Sequence, residues 1–286
     1  MELAMHEIPL AIFSTLAPIG AGTFFMLALS FCYGNLSEEH MRRIDKMTII
    51  PLLVALIGLI ASFFHLANPM HALNVANTIG TTPLANEITA FGVFMIVAAI
   101  YWIVAVCGGL KSDSARRGFA LVTGILGLIA SIFIGCAYLI DTIPSWNTFW
   151  SPVAVLGFAL MGGTILSLVV TTLADAGDQA VGGKAENIYF GVLSLGAVLA
   201  LAGVIALFVI GSTSTSAVLV VSALAGSVTW AFVLFIILTV IVWAMGFFMI
   251  KPMPMKSLAI VACVLVVIAI FLARLCFYGL QIGLGL

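Results

Sequence analysis

The sequence contains a series of continuous apolar runs, each about 20 residues long, which is the length that a helix needs to cross a lipid bilayer. Of its 286 residues, 64% are hydrophobic and only 7% are charged, whereas soluble domains contain about 25% charged residues. A soluble fold of this size would expose too much surface to hide so much apolar area. The runs therefore indicate an integral membrane protein with almost no water-soluble portion.

The continuity of the apolar runs distinguishes helices from barrel strands. Strands of a membrane barrel alternate apolar and polar residues, and backbone in lipid must be hydrogen-bonded within a helix or a closed barrel. We therefore predict an all-α fold, a bundle of eight transmembrane helices that forms a single domain over residues 1–286. The predicted spans are 9–33, 47–66, 87–107, 118–140, 152–173, 188–211, 227–250 and 257–281.

Basic residues are confined to alternate connections between the predicted spans. Nine of the ten lysine and arginine residues lie in the connections one–two, three–four, five–six and seven–eight. Because cytoplasmic loops carry an excess of basic residues, we expect these connections inside and both termini on the outer, extracytoplasmic side. The nine residues are Arg42, Arg43, Lys46, Lys111, Arg116, Arg117, Lys184, Lys251 and Lys256.

The outer loop between predicted spans four and five, residues 141–151, is rich in aromatic side chains. Trp146, Phe149 and Trp150 are typical of an aromatic belt at the membrane surface. We interpret them as interfacial anchors, with a docking surface for another subunit as the alternative.

Four polar side chains from three predicted spans share one depth near the outer surface: His65, Glu87, Arg274 and Tyr278. Ionisable groups inside a span are costly and mark functional sites by default. Structural alternatives exist for each charged group. The histidine could cap a helix end, the carboxylate could be stabilised by a helix macrodipole, and the arginine could extend to the interface.

The pattern of polar residues excludes several kinds of site. Of the four histidines, only His65 lies at membrane depth, so a bis-histidine haem is not expected. The five scattered cysteines form no CxxC pair and predict neither an iron–sulfur cluster nor a zinc site in this protein. No metal-ligand set is apparent, a proton pump would need carboxylates through the bilayer, and the net charge of −1 is unlike a nucleic-acid-binding face.

A quinol site fits the four residues better. Oxidation of a quinol releases two electrons and two protons, and a histidine can accept a hydroxyl proton near neutral pH. A carboxylate could relay that proton outward. The site needs an apolar mouth toward lipid and a polar end toward water, and His65 and Glu87 at the outer rim satisfy that layout.

Several short motifs occur along the sequence in an order that matches one known family. They are HEIPL at 6–10, HLANPM at 65–70, LANEI at 84–88, DTIPSW at 141–146, WSP at 150–152, MGG at 161–163 and FYGL at 277–280. Across essentially its whole length the sequence resembles the membrane-anchor subunit of bacterial anaerobic dimethyl sulfoxide reductase. Where that family often has Arg after PM and His after YGL, this sequence has His71 and Gln281.

The resemblance implies eight helices with both termini outward and a multi-pass subunit of the cytoplasmic membrane that binds menaquinol without haem. It ties the histidine and the glutamate of two motifs, here His65 and Glu87, to the quinol site. It also implies two partners on the outer face. One is a ferredoxin-like subunit with [4Fe–4S] clusters, and the other is a molybdopterin catalytic subunit.

Our hypothesis is therefore a membrane anchor of a molybdoenzyme that oxidises menaquinol near the outer face. His65 would bind and deprotonate the quinol, Glu87 would conduct protons or hold His65, and Arg274 and Tyr278 would line or brace the site. Two alternatives remain open from the residues alone. One is a solute or ion transporter, which would need polar breaks at mid-depth, and the other is a purely structural anchor.

Overall fold

A computed structural model of the protein describes residues 2–65, 77–214, 221–250 and 256–282. Within these ranges, eight helical segments are long and apolar enough to cross a membrane, which confirms the predicted all-α fold and the predicted number of spans. The helices are α1 (Glu2–His6), α2 (Ile8–Tyr33), α3 (Glu38–Met47), α4 (Ile49–Phe63), α5 (Pro83–Val106), α6 (Asp113–Cys136), α7 (Trp150–Leu173), α8 (Gly177–Ala180), α9 (Lys184–Thr213), α10 (Val221–Ile250) and α11 (Lys256–Gly279).

Two helix boundaries near the predicted site differ from the sequence prediction. Helix α4 ends at Phe63, and His65 lies in a following turn in which its backbone N–H donates to the Ser62 carbonyl at 3.2 Å. Helix α5 begins at Pro83 rather than Glu87, because Thr82 caps its first turn and proline is favoured at the first helical position. Glu87 therefore lies in the second turn of α5, and His65 lies just beyond α4.

Helices α2 and α7 are the most buried spans and form the centre of the bundle. Helices α4 and α6 pack against α2, helices α9 and α11 pack against α7, and α10 packs against α9 and α11. The outer faces of α5, α9 and α10 expose rows of Ile, Val and Leu side chains, as expected of helix faces that meet lipid. The two central helices thus carry the contacts that position the rest of the bundle.

Close approach of the two central backbones depends on glycine. A Cβ added at Gly22 of α2 would lie 1.9 Å from the carbonyl oxygen of Ala159 in α7, and one added at Gly163 would lie 2.4 Å from the carbonyl carbon of Gly22. Apolar side chains gain little by leaving lipid for one another, so transmembrane helices associate through such close packing of small residues. These glycines let α2 and α7 meet without intervening side chains.

One end of the bundle is held by a buried ionic network. Asp45 of α3 accepts hydrogen bonds from Nε of Arg116 at 2.9 Å and from the Tyr101 hydroxyl. Arg116 also donates to Asp113 at 3.1 Å and to the carbonyl of Leu110 at 3.0 Å. The sequence predicts Arg116 in a loop, but the structure buries it in the first turn of α6, and its bond to Asp45 links α6 to α3.

The two described ends of the polypeptide lie together at the opposite end of the bundle. A Cβ added at Gly279, the last residue of α11, would lie 3.6 Å from Cβ of Ala4 in α1. A polypeptide that crosses a membrane an even number of times has both ends on the same side. The proximity of α1 and the end of α11 therefore agrees with eight crossings.

Substitution of Gly22 by alanine tests the central helix contact. We expect Gly22→Ala to destabilise the protein by about 1–3 kcal/mol, because the added methyl group overlaps the α7 backbone. The matched control is Gly92→Ala in α5, where no heavy atom lies within 4 Å of the added Cβ. The control should be neutral, or stabilised by up to ~1 kcal/mol through helix propensity. Thermal unfolding in detergent measures both, and equal melting temperatures would contradict the proposed packing.

Candidate functional site

The polar residues predicted from the sequence gather at the end of the bundle that holds the two ends of the polypeptide. We call this the site end and define it by Glu7, His65, Glu87 and Tyr278. It comprises the start of α2, the turn after α4, the start of α5 and the last turn of α11. The ionic network around Asp45 lies at the other end.

Arg274 of α11 is the most deeply buried charge at the site end, with 1% of its surface exposed. Its Nε donates to Oγ of Ser14 in α2 at 2.7 Å, and one terminal nitrogen donates to the Tyr278 hydroxyl at 2.9 Å. An arginine that extended to the interface would be exposed, so this structural alternative is wrong. The guanidinium instead ties α11 to α2 inside the bundle.

Aromatic rings surround the remaining surface of the Arg274 guanidinium. Its Cζ lies 4.7 Å from the ring centroid of Tyr138, 4.2 Å from that of Phe277 and 4.8 Å from that of Tyr278. A cation over an aromatic face is attracted by the ring quadrupole, and more strongly when water is absent. The hydroxyls of Tyr138 and Tyr278 are also hydrogen-bonded to each other. The charge is thus compensated by rings and hydroxyls.

Trp146 closes this aromatic cluster from the loop between α6 and α7. Its ring stacks on Phe277 with centroids 4.9 Å apart, and its indole N–H donates to the Phe277 carbonyl at 3.1 Å. The prediction of an interfacial anchor is wrong for Trp146, because only 6% of its surface is exposed. Phe149 of the same loop is 63% exposed and fits that prediction.

Glu87 is buried beside this cluster, with 6% of its surface exposed. Its carboxylate interacts electrostatically with Arg274 and with Tyr138. Because Glu87 lies in the second turn of α5, the first-turn macrodipole alternative is wrong. Within the described part of the protein, no cation lies within 4.0 Å of this carboxylate, so the attraction of Arg274 acts over a longer distance.

His65 meets a partner that the sequence analysis did not select. Its Nδ1 lies 3.2 Å from Oε2 of Glu7, the residue that precedes α2. The side chain of His65 is 38% exposed and that of Glu7 is 19% exposed. The pair therefore lies at the rim of the bundle, while Arg274 lies inside it.

Helix α2 provides a depth scale for these groups. Glu7 and Ser14 are seven residues apart, which is about 10 Å along a helix and nearly two full turns, so both side chains lie on one face. Phe13 of α2 contacts Phe91 of α5 edge-on, with centroids 5.4 Å apart. Glu87 lies one turn before Phe91 on the same face of α5. Glu87 is thus placed between the level of Glu7 and the level of Ser14.

The structure places three of the four predicted residues near one another, two of them in direct contact. Arg274 and Tyr278 are hydrogen-bonded, and Glu87 interacts with Arg274 across α5 and α11. His65 lies at the same end, in contact with Glu7 rather than with the other three.

Sequence reasoning missed Glu7 as the partner of His65, and it missed Ser14, Tyr138 and Trp146 as members of the Arg274 cluster. A signal existed for the first two, since they are polar residues seven positions apart on one face of an apolar helix. The positions of Tyr138 and Trp146 depend on the fold of the loop between α6 and α7.

Of the two departures from the family motifs, His71 lies outside the described residues, and Gln281 is half-buried directly after α11.

Metal ligands are not gathered at the site end. Among the described residues, no group of three or more His, Cys, Asp or Glu side chains is placed to hold a metal ion.

Comparison with known proteins gives the family. A family model described as "DMSO reductase anchor subunit (DmsC)" matches residues 1–280. The protein is 34% identical to a subunit of the anaerobic dimethyl sulfoxide reductase of Escherichia coli over 182 residues, which make up 63% of each sequence and thus less than two thirds of that relative. It is 31% identical to the anaerobic dimethyl sulfoxide reductase subunit YnfH of the same organism over 202 residues, or 71% of this sequence and 68% of that one. It is 30% identical to an anaerobic dimethyl sulfoxide reductase subunit of Haemophilus influenzae over 170 residues, or 58% and 59% of the two sequences.

Removal of the Tyr278 hydroxyl tests the Arg274 cluster. Tyr278→Phe deletes one of the two side-chain acceptors of Arg274 and the bond to Tyr138. Hydrogen bonds to charged groups contribute about 1.5–3 kcal/mol. We expect a loss of stability in that range by thermal unfolding in detergent. The matched control is Tyr33→Phe, at an exposed tyrosine near the end of α2, which should change stability by less than about 0.5 kcal/mol. Equal stability of the two variants would show that the cluster does not stabilise the fold.

Proposed function

Because this protein belongs to the DMSO reductase anchor subunit (DmsC) family, we propose that it anchors a dimethyl sulfoxide reductase-type complex and oxidises menaquinol at the site end. Its eight spans make it a multi-pass protein of the cell membrane. The electrons would pass to an iron–sulfur partner subunit in anaerobic respiration.

One observation carries the proposal: a buried cation and a buried carboxylate lie in an apolar bundle within two helical turns of an accessible histidine. Arg274 and Glu87 are buried, and His65 is partly exposed at the rim. Charged side chains in a membrane interior are expensive and are retained where they serve a function. Apolar walls with a few convergent polar groups are the usual form of a small-molecule site, and they match a quinol with its apolar tail and polar ring.

The residues present fit a quinol as substrate. Its hydroxyl needs an acceptor, which the His65 imidazole can provide, and its second proton needs a route to water. Oxidation breaks two O–H bonds and yields a quinone, two protons and two electrons. We assign the first proton to His65 and the second to Glu87, and we assign the two electrons to an iron–sulfur cluster of the partner. Arg274 fixes the position of Tyr278 by a hydrogen bond. Its positive charge attracts the negative charge of the Glu87 carboxylate.

The charge distribution supports an outward position of the site end. The basic residues of the connections between spans concentrate at the end that holds Asp45 and Arg116, and the positive-inside rule assigns such an end to the cytoplasm. Both termini and the site would then face outward. Partners on the outer face, a ferredoxin-like [4Fe–4S] subunit and a molybdopterin catalytic subunit, would receive the electrons over a short path.

Two isosteric substitutions test the proposal in the assembled complex. Glu87→Gln and His65→Gln should each lower menaquinol-dependent reduction of the terminal acceptor by about 100-fold or more, the usual contribution of a positioned acid or base. Reduction driven by an artificial dye that donates to the partner subunits should be unchanged. The matched control for the carboxylate is Glu38→Gln in α3, an exposed residue paired with Arg42 at the other end of the bundle.

The control should retain full quinol-dependent turnover, because exposed ion pairs contribute little. Parental quinol-dependent turnover in both His65→Gln and Glu87→Gln would remove the site end from the mechanism. It would favour a purely structural anchor with the quinol bound elsewhere. Loss of dye-driven activity as well would point to failed assembly rather than to a lost site.

A further inference from the structure

We infer that Glu7 is a positioning residue for His65, which it orients and whose protonated form it stabilises during quinol oxidation. The inference rests on the proposed function, since it assigns a role to a group that contacts His65. Glu7 is not one of the four residues that the sequence analysis selected. It lies at the start of α2, and none of those four residues belongs to α2.

The contact is direct. Nδ1 of His65 lies 3.2 Å from Oε2 of Glu7. Helix α4 packs closely along α2, so the turn after α4 is brought to the start of α2 by the fold. The two side chains meet although they are 58 positions apart in the sequence.

The obvious structural role of a carboxylate at this position is absent. Glu7 is the N-cap residue of α2, where an acidic side chain often accepts a hydrogen bond from a free backbone N–H. Its side chain makes no such capping bond. The carboxylate is therefore not used to complete the helix terminus and is turned toward His65.

The burial of the carboxylate calls for a donor. Oε2 of Glu7 is inaccessible to solvent and has no hydrogen bond of good geometry within the described part of the protein. A buried carboxylate oxygen without a donor costs free energy. Nδ1 of His65 lies 3.2 Å from this oxygen, and an N–H directed from Nδ1 at Oε2 would supply the donor.

The chemistry of the imidazole follows from that contact. With the proton on Nδ1 directed at Glu7, a neutral His65 presents Nε2 as an unprotonated acceptor. When the quinol O–H breaks and an Nε2–H bond forms, the ring becomes a cation beside a carboxylate. The partner subunit's iron–sulfur cluster takes the electrons, as in the proposed function. A carboxylate that orients a histidine and stabilises its imidazolium is a recurrent arrangement in enzymes.

The test is a series of variants in the assembled complex, with quinol binding and turnover measured separately. Glu7→Gln keeps an oxygen that can accept from Nδ1 but removes the charge. We expect the dissociation constant of a fluorescent quinol analogue to stay within about twofold, and kcat with a menaquinol analogue to fall by at least about tenfold. Glu7→Leu removes the acceptor as well, so it should lose both analogue binding and turnover. His6→Gln, at an exposed neighbouring residue, is the matched control and should behave as the parent.

Four outcomes separate the explanations. Parental kcat in Glu7→Leu would overturn the inference, and so would equal losses of binding, quinol-dependent turnover and dye-driven turnover in Glu7→Gln, which indicate a structural role. If His65→Gln abolishes quinol turnover while both Glu7 variants retain it, only this inference fails. If His65→Gln itself retains quinol turnover, the proposed function of His65 fails first, independently of Glu7.

Discussion

The burial of Arg274 is the constraint on which the site end depends. A guanidinium at membrane depth costs about 2.5–3.5 kcal/mol on insertion scales, and Arg274 is almost wholly enclosed. Ser14, Tyr278 and the faces of three aromatic rings offset that cost. Because these groups come from α2, α11 and the end of α6, satisfying one charge fixes three parts of the bundle relative to one another.

Helix α2 combines the central packing contact with two polar contacts of the site end. The helix approaches α7 through Gly22, with its apolar middle buried on nearly all sides. At its start, Glu7 contacts His65 and Ser14 contacts Arg274. One face of α2 thus carries a rim pair and a buried cluster about 10 Å apart, with Glu87 between them in depth.

The sequence predicted the architecture well because the signals are large and local. A helix must contain a long continuous apolar segment to cross lipid. The lengths of the apolar segments therefore predicted the eight spans and the all-α class. The position of His65, Glu87, Arg274 and Tyr278 at one end of the bundle followed from their positions within spans, but the structure places Arg274 deeper than His65 and not at the one shared depth that was predicted. Contacts between helices did not follow, because an apolar helix gives little sign of which face meets which neighbour. The His65–Glu7 pair, the burial of Trp146 and the burial of Arg116 are all products of that packing.

The central claim is that a quinol binds at the end of α2 that holds Glu7 and Ser14. Photoaffinity labelling of the assembled complex with an azido-quinone, followed by peptide mapping, tests it most directly. We expect covalent label on the first turns of α2 and the last turns of α11, and competition by excess unlabelled menaquinone. Competable label confined to the opposite end, near Asp45 and Arg116, would contradict the claim.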